Sequence, residues 1–117
     1  MEGDCIFCRI VAKELPAKIV YEDDEMLAFP DVSPRAPLHV LIVPKVHLDS
    51  LAEATDAGLI GRLALRAAAI AKEGGYAERG FRVLTNTGPE AGQTVQHLHM
   101  HVLAGRLGRR GGTSALW

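Results

Sequence analysis

The chain has 117 residues, 48% of them apolar, and its 13 basic and 14 acidic side chains leave a formal charge of -1. That size suits one globular domain with one core, spanning 1–117, and argues against a second domain. The balanced charge speaks against a nucleic-acid track or an anionic membrane surface as partner. No basic run leads into an apolar stretch at the N-terminus, and the purest apolar run, Val40 to Val43, is far too short to cross a bilayer, so a cytoplasmic protein is expected.

In chain order, Cys5 to Ala12 places Ile6, Phe7, Ile10 and Val11 at roughly helical spacing, which predicts one or two turns before the breaker at Pro16. Cys5 and Cys8 sit three apart without an export signal, and a metal, a redox pair or two plain thiols all fit that spacing. From Lys18 to Phe29 an acidic turn, Glu22-Asp23-Asp24-Glu25, separates two apolar runs and predicts a hairpin. Pro30, Pro34 and Pro37 predict a rigid loop over 30–37, because proline has no amide hydrogen for a ladder. His39 to Val43 then reads as a buried strand.

Thr55 or Asp56 can cap one long helix whose apolar stripe runs through Leu59, Leu63, Ala67 and Ile70, with Gly74-Gly75 ending it. Phe81 to Thr87 and Gln96 to Leu103 read as two further strands joined by the loop 88–93. About five strands and one long helix predict an α+β class: an antiparallel sheet covered on one face by the helix. The Gly- and Arg-rich stretch from Gly105 to Trp117 reads as a mobile tail, or one pinned by a partner subunit.

His97-Leu98-His99-Met100-His101-Val102-Leu103 carries the most chemistry. A strand alternates its side chains, so it would set three imidazoles on one face and Leu98, Met100 and Val102 on the core face. Three imidazoles on one face are costly to bury without water, ligand or metal. With a rise of about 3.3 Å per residue the outer two lie about 13 Å apart, too far for one ion to bind all three, so divided roles along an extended substrate are expected. Neutral imidazole attacks phosphorus competently at neutral pH. Gly92-Gln93-Thr94, just upstream, supplies flexible backbone, an amide and a hydroxyl suited to phosphate oxygens.

The His-φ-His-φ-His-φ-φ run at 97–103, with φ apolar, resembles the signature of the histidine-triad (HIT) family. Ile6-Phe7-Cys8-Arg9-Ile10, residues 16–24, Phe29 to Pro34, Pro44-Lys45-Val46-His47 and Gly92 to Val95 are similar to its nucleotide-binding branch. The resemblance implies a five-stranded antiparallel sheet with one long and one short N-terminal helix, two copies pairing into a ten-stranded sheet. It implies hydrolysis of purine nucleoside phosphoramidates, with His97, His99 and His101 as the catalytic set. His99 would attack the α-phosphorus, and His101, Gln93 and Thr94 would hold phosphate oxygens.

Asn86 is similar to a polar residue near the phosphate, Asp31 to the carboxylate that accepts from ribose hydroxyls, and His39 to a histidine near the site. Ile6, Phe7, Ile10, Phe29, Val32 and Val95 match the family's purine slot. Cys5, Cys8, His47 and His97 match a structural zinc set found in several bacterial-type members, with no organic cofactor implied. Two other readings stay open: a nucleotide-binding regulatory protein with incidental turnover, and a dinucleoside polyphosphate hydrolase.

Overall fold

A computed structural model describes residues 5–106. Its elements follow in the order α1 (Ile6–Val11), β1 (Tyr21–Glu22), β2 (Met26–Pro30), β3 (Leu38–Pro44), α2 (Ala57–Glu73), β4 (Phe81–Leu84) and β5 (Met100–Ala104), with short 3-10 turns at Leu51–Glu53 and Pro89–Ala91. The five strands form one sheet of order β1-β2-β3-β5-β4, antiparallel at every pairing. This is the expected α+β arrangement. No helix among the described residues is long and apolar enough to cross a membrane. The tail beyond Arg106, with Trp117, lies outside the described residues.

The β1–β2 hairpin turns where its acidic residues stand. Asp23 Oδ1 accepts from the amides of Glu25 and Met26 at 2.8 and 3.0 Å, which closes the turn through a side chain. β1 is shorter than the apolar run that predicted it: only Tyr21 and Glu22 pair with β2. Pro30, assigned from sequence to the loop, is instead the last ladder residue of β2, opposite Val40. A strand's terminal position tolerates proline because a missing amide there breaks no interior bond.

Period-2 alternation separates two faces. Met26 and Ala28 of β2, Val40 and Ile42 of β3, and Met100 and Val102 of β5 pack with Leu98 under α2. Leu27, Phe29, Leu41 and Val43 face the other way and pack with Cys5, Phe7 and Ile10 at α1. Asp56, rather than Thr55, caps α2, its Oδ1 accepting from the Leu59 amide at 3.2 Å. Leu59, Leu63, Ala67, Ile70 and Ala71 form the buried stripe. Arg62 clamps Glu25 through two 2.7 Å bonds, and the Arg66 guanidinium lies 3.6 Å above the Tyr21 ring, so α2 also grips the hairpin.

The histidine strand starts later than the sequence predicts. β5 begins at Met100, leaving His97 in a bend and His99 in irregular chain just before the ladder. Continued register would set Leu98 opposite Pro44, which has no amide hydrogen and whose carbonyl is taken by the His97 ring. The segment is held instead by Leu98 N–H to the Leu48 carbonyl at 2.7 Å and by the Thr85 hydroxyl donating to the His99 carbonyl at 2.7 Å. β4 is likewise shorter than its apolar run, ending at Leu84.

Leu63 is fully buried between α2 and the sheet. Leu63→Ala is expected to lower the unfolding free energy by about 2 to 5 kcal/mol, read from the urea midpoint at unchanged slope.

Candidate functional site

A cavity of about 660 Å³ opens on the face away from α2. Ile6, Phe7 and Ile10 of α1 form one wall, Phe29, Val32 and Val95 line it further, and Asp31, Asn86, Thr94, His99 and His101 supply the polar groups. The structure therefore gathers all six slot residues proposed from sequence, with Val32 on the rim at 98% exposure. Lys18, Ser33 and Arg35 also line it. Sequence reasoning passed over Lys18 and Arg35 because isolated cations in a turn and a loop look like ordinary solvated surface.

Three residues named from sequence for catalysis or nucleotide binding do not line the cavity: His97, His39 and Gln93. Gln93 is buried, and its amide braces the loop: Oε1 accepts from Gly88 N–H at 2.8 Å, while Nε2 donates to the carbonyls of Asp49 and Val95 at 2.6 and 2.9 Å. Both amide hydrogens are thus engaged, so Gln93 could hold a phosphate oxygen only by giving up one of these bonds. Gly88 and Gly92, both at φ +90°, let the chain reverse around that amide.

The ring protons follow from the partners. His99 Nδ1 lies 2.7 Å from the His97 carbonyl, which can only accept, so Nδ1 carries the proton and Nε2 keeps its lone pair. The Arg35 amide, which can only donate, meets His39 Nδ1 at 3.0 Å, placing the proton of neutral His39 on Nε2. That Nε2 lies 2.9 Å from His101 Nδ1 and 3.4 Å from Asp31 Oδ2. His101 Nδ1 then accepts, and its far nitrogen, Nε2, is a donor. Burial holds His99 and His39 below the usual imidazole range and pushes His101 down to about 3, the neighbouring His99 and His39 adding to the effect. All three are neutral at pH 7.

A second cluster lies beside the first. The His97 ring, fully buried, donates from Nε2 to the Pro44 carbonyl at 2.9 Å, and His47 donates from Nε2 to Asp49 Oδ1 at 2.8 Å. In the neutral ring form each therefore turns its Nδ1 lone pair to sulfur: His97 lies 3.2 Å from Cys5 and 3.5 Å from Cys8, and His47 lies 3.1 Å from Cys8. The four donor atoms all lie within 4.8 Å of one another. Tetrahedral zinc with two sulfur and two nitrogen ligands has donor separations of about 3.5 Å, so the set fits that ion, with carbonyl and carboxylate partners orienting both rings. Asp49 was not singled out from sequence, although an acidic residue two places from a candidate ligand histidine is a usable signal.

Asp31, His39 and His101 also gather three donors within 4.8 Å. That group does not suit a metal. Coordination through His39 Nε2 would move its proton to Nδ1, directly against the Arg35 amide hydrogen.

The family model described as "HIT domain" matches residues 12–108. Protein HitA of Neisseria gonorrhoeae is 52% identical over 102 residues, covering 86% of this chain and 94% of that protein. A 14 kDa zinc-binding protein of Brassica juncea is 44% identical over 108 residues, covering 88% and 94%. Among solved structures, a HIT family hydrolase from Clostridium thermocellum superposes with a TM-score of 0.85 at 42% identity, covering 93% of this chain and 95% of its own.

Unfolded, each imidazole takes a proton near pH 6.5, whereas folded His101 takes one only near 3. Stability is therefore complete above 6.5 and declines as pH falls toward 3, by up to about 1.4 kcal/mol per pH unit for each ring that folding keeps neutral. Urea unfolding at pH 7 and pH 5 should show the loss, and His101→Gln should flatten it. Equal slopes in both proteins would mean that folded His101 protonates freely.

Proposed function

We propose, because this chain belongs to the histidine-triad (HIT domain) family, that it hydrolyses purine nucleoside phosphoramidates through a nucleotidyl-imidazole formed on His99. The observation that carries the reading is the 2.7 Å bond from His99 Nδ1 to the His97 carbonyl, which leaves the Nε2 lone pair on a ring that lines the cavity. The fold it shares with a HIT family hydrolase supports hydrolysis in general, and the cavity supports the substrate class. An apolar slot of Ile6, Phe7, Ile10 and Phe29 suits a purine face, and the Asp31 carboxylate suits two ribose hydroxyls.

In this mechanism Nε2 of His99 attacks the α-phosphorus and the P–N bond breaks. The phosphoramidate nitrogen takes up a proton from solvent as that bond breaks and leaves as the neutral amine with the electron pair of the bond. Water then attacks phosphorus and gives up its proton to solvent, the P–Nε2 bond breaks, and its pair returns to His99 as the nucleoside monophosphate is released. His101, held neutral, acts through its Nε2–H as a hydrogen-bond donor to phosphoryl oxygen rather than as an acid. Thr94 and Asn86 supply further polar groups at the same wall. His97 works from behind, its carbonyl setting the His99 tautomer.

Cys5, Cys8, His47 and His97 would hold zinc, which when bound supplies a structural cross-link with all four positions filled by protein. The zinc-binding relative supports that assignment. The reading also takes the active form to be a homodimer, to be checked by sedimentation.

Wild-type protein is expected to hydrolyse adenosine 5'-phosphoramidate at neutral pH, and folded His99→Ala to lose roughly a thousandfold or more in kcat/KM. Mass spectrometry of acid-quenched turnover should find the adduct on His99. Tight binding of adenosine monophosphate with no turnover of any phosphoramidate would replace this reading with a regulatory one. Metal analysis of protein purified without chelator should return about one zinc per chain; a metal-free, fully folded protein would remove the zinc.

A further inference from the structure

The metal-fitting cluster and the cavity are built from the same short pieces of chain. α1 has six residues, far fewer than a helix needs to persist alone in water, so outside anchors must hold it. Cys5 caps α1, its sulfur accepting from the Cys8 amide at 3.3 Å, and Cys8 lies in the helix. Between those two sulfurs the same turn sends Ile6 and Phe7 into the cavity wall, followed one turn later by Ile10.

The Phe7 ring joins the two sites directly. Its centroid lies 5.9 Å from that of His97, in the cluster, and 5.1 Å from that of His99, in the cavity, each meeting edge to face. His97 makes a second connection. Its ring faces the two sulfurs while its carbonyl accepts the hydrogen bond from His99 Nδ1–H. A rearrangement at Cys5, Cys8 or His97 therefore moves the slot wall, the ring of His99, or both.

We propose that filling the Cys5–Cys8–His47–His97 set with zinc tightens nucleotide binding in the neighbouring cavity, with α1 and the 97–99 segment as the shared element. The inference rests on the functional reading above for both the nucleotide and the metal. An ion bonded to both sulfurs and both rings removes motion from α1 in advance, so a nucleotide closing on that wall loses less conformational freedom. Linkage makes the effect mutual: the factor by which zinc strengthens nucleotide binding is the factor by which the nucleotide strengthens zinc binding. Turnover is not needed for this coupling, so it is read from binding alone.

The test is calorimetric titration of adenosine monophosphate into the full chain, zinc-loaded and chelator-stripped, with circular dichroism as the folding control. The expected dissociation constant is about tenfold weaker for the stripped protein. His47→Asn is the parallel variant, because His47 lies in neither α1 nor the cavity wall. At zinc levels that saturate only the wild type, the folded variant should bind the nucleotide about tenfold more weakly and recover in excess zinc. A purely structural ion would leave the affinity of the folded variant unmoved. Equal affinities with and without zinc in folded protein would overturn the coupling and leave the functional reading intact. Failure of the loaded protein to bind the nucleotide would overturn the functional reading itself, and failure to take up zinc would overturn the metal assignment, the inference falling in either case.

Discussion

A backbone carbonyl decides what His99 can do. With Nδ1 held by the His97 carbonyl at 2.7 Å, the neutral ring has one possible lone pair, on Nε2, and one orientation in which that bond survives. Rotation of the ring would leave a buried carbonyl without its donor, at a cost of about 1 to 3 kcal/mol. The carbonyl in turn depends on His97 being fixed, which its own ring ensures through Pro44 on one side and the two cysteines on the other. In the proposed mechanism, reactivity at one histidine thus rests on the immobility of the histidine two places earlier.

The same reasoning assigns different work to His39 and His101. A main-chain amide at Arg35 starts a chain of donors that runs through His39 to His101 and leaves His101 a donor, the opposite polarity to His99. Neighbouring rings with centroids 5.1 Å apart thereby become one acceptor and one donor without any charge being placed in the cavity. Burial favours this arrangement because it penalises every protonated state.

Both sites depend on the division of the sheet into two faces. α2 covers one face with aliphatic side chains and buries its centre; the other is covered only in part, by a helix of six residues. The exposed remainder is where a ligand of nucleotide size can enter. The late start of β5 belongs to this arrangement. In a regular ladder the His97 carbonyl would face strand or solvent in the ordinary pattern, whereas in the bend it turns back to its own neighbour's ring.

Much of this was legible in residue order, for local reasons. Alternation put Leu98, Met100 and Val102 in the core, the apolar stripe from Leu59 to Ile70 marked α2, and Asp56 offered the cap it makes. Period and capping are properties of a few consecutive residues, so the sequence by itself determined the elements, the α+β class and the candidate residues. Strand limits were less legible: β1, β4 and β5 are shorter than their apolar runs, β5 because its next partner would be Pro44, which has no amide to give, and only the assembled sheet decides where partners end. The tertiary structure alone placed His97 with Cys5, Cys8 and His47, folded the Gln93 amide into its own loop, and set each ring proton. The cluster and the bond between His39 and His101 join residues far apart in sequence, which no local pattern encodes, and the short-range bonds of His99 and Gln93 form only where the assembled sheet bends the chain.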